Sequence, residues 1–322
     1  MMPAIINRSG QRIGNHYRLY RPLILAFGIS FAFITKPVII GKTFMRAKAR
    51  EDEPDMHNQP HPPLPDELEQ VAEQWWTAFR QAAENLSAPV PQDPGLIESL
   101  KRVWALSDFV ARVCQRDPRL LHDLIASGDL ARAYQTHGFT AKLSARLQPV
   151  LDRLATIVTG KFPAADVDPI EDLHKILRHF RKREMIRIAY RDILGIADLA
   201  ETIAELSAFA DACIDQTLTV LYDWQCHADG IPLGREGTPQ QLVVLGLGKL
   251  GGRELNFSSD IDLIFAYPQA GQTDRSVDPV SNDVFFTKLS RRLIKVLGAV
   301  TADGSVFRVD LRLRPDGDNG PL

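Results

Sequence analysis

The apolar positions of the first two thirds of the chain recur with helical spacing. Residues 66–86 are rich in Glu, Gln, Ala and Trp, mostly helix formers, and predict one helix that Pro89, Pro91 and Pro94 end. The pattern resumes after Ile97-Glu98-Ser99-Leu100 and runs through Val103, Leu106 and Val110 as a second helix. Asp117-Pro118 opens another, and Ser127-Gly128-Asp129 closes it. Residues 143–158 and 170–193 repeat the pattern, and 198–222 predict a long helix with room for one break. Strand signal is almost absent here, so a helical region of five to seven elements is expected.

The pattern changes after Gly237-Thr238-Pro239. Leu242-Val243-Val244-Leu245 is a short apolar run, read as a buried strand. Gly246, Gly248 and Gly251 follow, spaced as G-x-G-x-x-G. A dinucleotide fold would need a helix next and an acid about 20 residues on; Asp260 arrives sooner, inside a strand-like run. A Walker A loop would need Ser or Thr after Lys249, and Leu250 stands there. Both motifs are set aside. The run Asp260-Ile261-Asp262-Leu263-Ile264-Phe265 reads as a strand with period 2. Asp260 and Asp262 then share a face, about 7 Å apart, where they repel unless a cation sits between them. A helix follows, with Phe286, Leu289, Leu293, Val296, Leu297 and Val300 on one stripe. Residues 306–314 alternate next. Phe307, Val309, Leu311 and Leu313 take one face; Arg308, Asp310, Arg312 and Arg314 take the other. Arginine forks suit phosphate oxygens, and a third carboxylate beside Asp260 and Asp262 is what a phosphoryl-transfer metal site needs.

Charge divides the chain. Of 38 Lys and Arg, nine lie in residues 1–50, which hold no Asp or Glu; the formal −2 overall therefore becomes −11 for the remainder. An acidic body argues against a dedicated nucleic-acid binder. Three widely spaced cysteines, Cys114, Cys213 and Cys226, form no metal or disulfide framework and fit a reducing, cytoplasmic setting. Residues 23–35 are apolar but shorter than the roughly 20 residues of a membrane span. The plain expectation is that translation begins at Met56 and that residues 1–55 are a non-native or poorly ordered extension. A secretory signal ending at Ala47-Lys48-Ala49, or an anchor, is the alternative.

Residues 174–191 are strongly basic. Leu173, Ile176, Leu177, Phe180, Ile188 and Ala189 make the expected buried stripe, with Arg178, Arg181, Lys182, Arg183, Arg187 and Arg191 largely outside it. The simpler reading is a solvated helix face; the other is an electropositive face for a phosphate or an acidic partner. His174 and His179 are five apart, off the spacing of a helical metal pair, and are expected at the surface.

Residues 248–265 (GKLGGRELNFSSDIDLIF) and 307–315 (FRVDLRLRP) closely resemble the glutamine synthetase adenylyltransferase/adenylyl-removing enzymes, as do residues 180–192 (FRKREMIRIAYRD) and, more loosely, 208–222. The resemblance covers most of 56–322 and none of 1–55. It implies an α+β fold: a helical domain at 56–236, then a DNA polymerase beta-like nucleotidyltransferase core at 237–322, incomplete at its C-terminal end. Family members carry two such cores. The wording Leu-Asn-Phe-Ser-Ser-Asp-Ile-Asp looks like the first, which removes AMP from a tyrosine of glutamine synthetase by phosphorolysis, and the chain reads as a fragment that stops within a motif. By resemblance, Asp260, Asp262 and Asp310 would hold Mg²⁺. Gly251, Gly252, Ser259, Lys249, Arg308, Arg312 and Arg314 would contact nucleotide or phosphate. Glutamine synthetase and the PII signalling protein would be partners; inorganic phosphate, AMP and ADP, or ATP, would be the small molecules. The forward ATP-dependent adenylylation, a silent fragment that only binds partners, and a membrane-anchored helical regulator are the rival readings.

Overall fold

The computed structural model describes residues 62–134, 137–158 and 168–313. Residues 1–55, with their candidate signal and Met56 start, and Arg314 lie outside the described residues.

Among the described residues seven α-helices come first: α1 (Asp66–Asn85), α2 (Pro94–Leu106), α3 (Asp108–Arg116), α4 (Pro118–Ala126), α5 (Gly138–Val158), α6 (Ile170–Ile193) and α7 (Leu199–Asp229). Local chemistry sets their starts. Asp93, Ser107, Asp117 and Asp198 each accept a hydrogen bond from the amide three residues on, relieving a helix N-terminus of one orphan donor. Pro94 and Pro118 sit in the first turn, where a missing N–H costs nothing. Ser107 also corrects the sequence reading. Its extended backbone ends α2 and its hydroxyl caps α3, so the apolar run through Val110 is two helices. Helix α7 has no break and continues seven residues past Tyr222.

The strand region holds β1 (Pro232–Leu233), β2 (Val243–Leu247), the single turn α8 (Gly248–Gly251), β3 (Ile261–Ala266), β4 (Gln272–Thr273), α9 (Asn282–Gly298) and β5 (Val309–Asp310). Strand β2 pairs antiparallel with β3, and β3 pairs parallel with β5 after a crossover through α9. A separate two-stranded sheet joins β1 to β4. Helices with two small sheets make the α+β class expected. Two details differ from the sequence pattern. Val300 lies beyond α9 and is 84% exposed, so it is no part of the buried stripe. The alternation over 306–314 condenses to a two-residue strand: Val306 and Phe307 are both buried, because both amides bond the Leu297 carbonyl at the end of α9 before β5 starts.

Two apolar cores share α6. One gathers α1–α4 around Phe79 and Trp104 and takes Ile186, Ala189 and Tyr190 from the second half of α6. The other joins α5, α7 and the opposite side of α6, from Leu173 to Ile188, to β2, β3 and α9. Helices α5–α7 thus pack with the strand region, and position 236 marks no gap between cores.

Burial of α6 overturns the solvated-face reading. Arg178, Arg183, Arg187 and Arg191 are all buried. Arg183 bonds Asp123, Asp129 and Glu184. Arg187 bonds Glu184 and pairs with Glu205 at 2.9 Å. Arg191 pairs with Glu201. Buried charges persist only when paired and hydrogen-bonded, and here the partners come from α4, α7 and the turn at 127–131. Asp129 shows the strength of the pairing: burial would push its carboxyl up, yet Lys142 and Arg183 hold it down at about 2. Arg178 does different work. It bonds the carbonyls of Val296, Ala299 and Gly304, so a cation closes the C-terminal end of α9 and fixes the turn that leads to β5. Of the two histidines, His179 is exposed, while His174 is half-buried, and burial lowers its pKa. Among the described residues, no helix is long and apolar enough to cross a membrane.

Candidate active site

The parallel pairing of β3 with β5 places Asp262 directly opposite Asp310. On the other side of β3, Asp262 sits opposite Leu247, at the junction of β2 and α8. The next residue, Gly248, has φ +53°, and a Cβ there would lie 2.4 Å from Asp262 Oδ2. Glycine is therefore required twice, for the backbone conformation and for the approach of the carboxylate. Gly251 is needed for a different reason: its Cβ would meet the Gly246 carbonyl at 2.6 Å, so it packs the turn against β2. The Gly252 amide donates to the Gly248 carbonyl and is spent within the turn rather than offered to a phosphate. Lys249 is exposed on α8.

The loop from α8 to β3 is tied down from α7. The Leu255 amide donates to Ser207 Oγ, and Arg253 pairs with Asp211 at 3.4 Å. Asn256 then organises the serines: its Oδ1 accepts from the Ser259 hydroxyl at 2.7 Å and from the Ser258 amide. Asp260 precedes β3 and is held by Arg308, which also reaches the Ser258 carbonyl. Ile261 donates its amide to the Arg308 carbonyl, locking the two strand starts together. Arg312 grips both oxygens of Asp310 and adds its backbone amide. A cleft of about 250 Å³ opens beside Arg308, lined by Arg181 of α6 and by residues 257–259 and 305–308.

Over residues 97–322 the chain matches the family model for glutamate-ammonia ligase adenylyltransferase. It belongs to that family. Three relatives are each described as a bifunctional glutamine synthetase adenylyltransferase/adenylyl-removing enzyme. The Nitrosococcus oceani protein is 44% identical over 245 residues, covering 76% of this chain and 24% of the relative. The Pseudomonas aeruginosa protein is 43% identical over 267 residues (80% and 25%). The Thioalkalivibrio sulfidiphilus protein is 48% identical over 225 residues (70% and 21%). The chain thus spans about a quarter of the length of these relatives. The family match takes in every element from α3 onward, including the carboxylates and both arginines of the β5 region.

Electrostatics in this family member separate the three carboxylates. Burial raises the Asp262 pKa, and the charges of Asp310 and Asp260 raise it further against the opposing pull of Arg312. Asp310 is held down at about 2 by the Arg312 side chain and amide. One carboxylate thus resists ionisation, first because it is desolvated and then because its neighbours are anions, and a cation between them would relieve the repulsion. Among the described residues, no three His, Cys, Asp or Glu side chains stand as a ready metal cage. Arg308 and Arg312 already hold Asp260 and Asp310. What fits a hard divalent cation is the chemistry of the donor set: oxygen ligands only, with Asp262 and Asp310 opposed. Sequence reasoning found these acids through strand parity. It missed Arg181, Ser258 and Ser305 at the cleft, because no local spacing signals that they meet.

Proposed function

We propose that this chain carries an adenylyl-removing nucleotidyltransferase site of the DNA polymerase beta type, which takes AMP from an adenylylated tyrosine of glutamine synthetase by phosphorolysis. The observation that carries the proposal is the opposition of Asp262 and Asp310 across β3 and β5, beside a glycine turn, in a chain of this family. The direction of reaction follows the resemblance of the Leu-Asn-Phe-Ser-Ser-Asp-Ile-Asp segment to the first of the two family cores.

In the proposed reaction an oxygen of inorganic phosphate attacks the AMP phosphorus in line, and the bond from phosphorus to the tyrosine oxygen breaks. The products are ADP and the free hydroxyl, the proton passing from phosphate to tyrosine. Asp262 and Asp310 would hold Mg²⁺, with Asp260 as the third carboxylate; bound there, the ion supplies neutralisation of phosphoryl charge. Arg308 and Arg312 orient Asp260 and Asp310, and their exposed guanidiniums add positive charge beside the phosphoryl oxygens. Glutamine synthetase is the protein partner in this reading, PII the regulator, and the reducing cytoplasm the setting, in keeping with three free cysteines.

ATP-dependent adenylylation would use the same carboxylates. The test supplies Mg²⁺ with phosphate to adenylylated glutamine synthetase, and Mg²⁺ with ATP to the unmodified enzyme. ADP release in the first arm supports phosphorolysis; AMP incorporation in the second alone reverses the direction; neither, with the chain folded, removes the proposal.

A further inference from the structure

The cleft beside Arg308 contains a cation without a counter-charge. Arg181 lines it, its Nε is buried without a hydrogen-bond partner, and no carboxylate pairs with it among the described residues. Its neighbours on the same helix differ: Lys182 pairs with Asp303, and Arg183 with Asp123 and Asp129. Leaving a partly desolvated guanidinium unpaired is costly, so Arg181, half-buried at the cleft wall with its Nε unpartnered, points to an anion that completes it. Burial also depresses the Arg181 pKa, but a guanidinium stays charged at any physiological pH. The rest of the lining is of one kind. Arg308 brings a second guanidinium and Ser305 a hydroxyl, while the Ser258 and Ser259 hydroxyls are turned onto Asn256 Oδ1, and no carboxylate lines the cleft. Two guanidiniums with a hydroxyl donor match a tetrahedral oxyanion. The volume of about 250 Å³ admits a phosphate group with room to spare.

We infer that Arg181, with Ser305 and Arg308, forms a phosphoryl-oxyanion subsite separate from the carboxylate pair. Arg308 joins the two, since it lines the cleft while gripping Asp260. The subsite deepens the proposed function, on which its role rests: an anion held here stands next to the carboxylates, as the attacking phosphate or as the phosphate of the nucleotide. Its existence as an anion site needs neither.

The test titrates the full chain with inorganic phosphate, and separately with AMP, at constant ionic strength in chloride, reading both ³¹P NMR line broadening and the melting temperature. Wild type should bind and melt higher as ligand rises. Arg181→Met should bind at least tenfold more weakly and lose the ligand-dependent rise, while melting no lower than wild type in chloride, because the substitution removes an unpaired charge. Loss confined to phosphate marks free phosphate as the occupant; loss confined to AMP marks the nucleotide. Equal binding of both ligands by wild type and Arg181→Met overturns the subsite. Should Arg181→Met fail to fold, Ser305→Ala carries the test: weaker binding supports the subsite and unchanged binding overturns it. Glutamine synthetase is absent throughout. Anion binding without ADP release would therefore sink the proposed function and leave the subsite standing, and ADP release without Arg181-dependent binding would do the reverse.

Discussion

Two groups of arginines sit on neighbouring parts of this molecule and behave oppositely. Arg187 on α6 is fully buried, as is its partner Glu184. Arg308 and Arg312, around β5, have side chains 72% and 78% exposed although each grips an aspartate. Residue type does not separate them; the surroundings do. On α6 the carboxylates come from the helix itself, through Glu184, and from elements packed against it, and Arg183 and Arg187 are each bonded on several sides. Around β5 both guanidiniums lie in water, Arg308 at the rim of the cleft, where exchanging one partner for another costs little. Buried arginines of this kind hold the fold, and the exposed ones stand beside the carboxylates of the candidate site.

Glu184→Ala should produce the largest effect. It takes from Arg183 and Arg187 the buried carboxylate they share, leaving Arg187 with Glu205 alone, and removes the acceptor of the Tyr134 hydroxyl. Breaking a buried pair from one side costs about 3–5 kcal/mol. Urea denaturation should show a loss of that order, and a loss typical of a surface pair would erase the distinction between the two groups.

Asp211 lies between the extremes, half-buried beside the exposed Arg253. Burial pushes its carboxyl up to about 6, with Asp215 adding to the rise and Arg253 opposing it. A raised folded pKa gives stability that is full below the unfolded value of 3.8 and is lost as pH rises through about 6. Wild type should therefore weaken between pH 4 and 7 relative to Asp211→Asn, by on the order of 2 kcal/mol. Melting curves of the two proteins across that range should diverge, and parallel curves would show that Asp211 titrates normally.

Arg312→Ala should do least to the fold, since exposed pairs contribute little. Its melting curve should overlay that of wild type. Freed from Arg312, Asp310 should bind Mn²⁺ a few times more tightly. A clear drop in melting temperature would place Arg312 with the structural group.

How far the sequence foretold this arrangement depended on whether the deciding partners were local. The two strands that carry Asp262 and Asp310 were legible, because a period of 2 is a local property, and the fold sets Asp262 opposite Asp310; their extent was not, since Asp260 precedes β3 and β5 has two residues. The helices were legible for the same reason. The division at Ser107 was not, since apolar spacing carries across a cap that only the hydroxyl-to-amide bond reveals. Arginine burial on α6 was invisible. A periodicity count scores Arg183 and Arg187 as polar and cannot see Asp129 or Glu205 coming from elsewhere in the chain. Arg181 was grouped with them, and only the cleft sets it apart. The paired burial of Val306 and Phe307 was hidden because both amides answer to Leu297, outside any strand register.

The claim that the opposed carboxylates form the reaction site is tested most directly by Mn²⁺ titration of the folded chain, followed by electron paramagnetic resonance, in wild type and Asp262→Asn. Wild type should show saturable binding, and Asp262→Asn should bind at least about tenfold more weakly, as expected when one of two anionic ligands is lost, with an unchanged melting curve. Equal Mn²⁺ affinity in the two proteins would contradict the account.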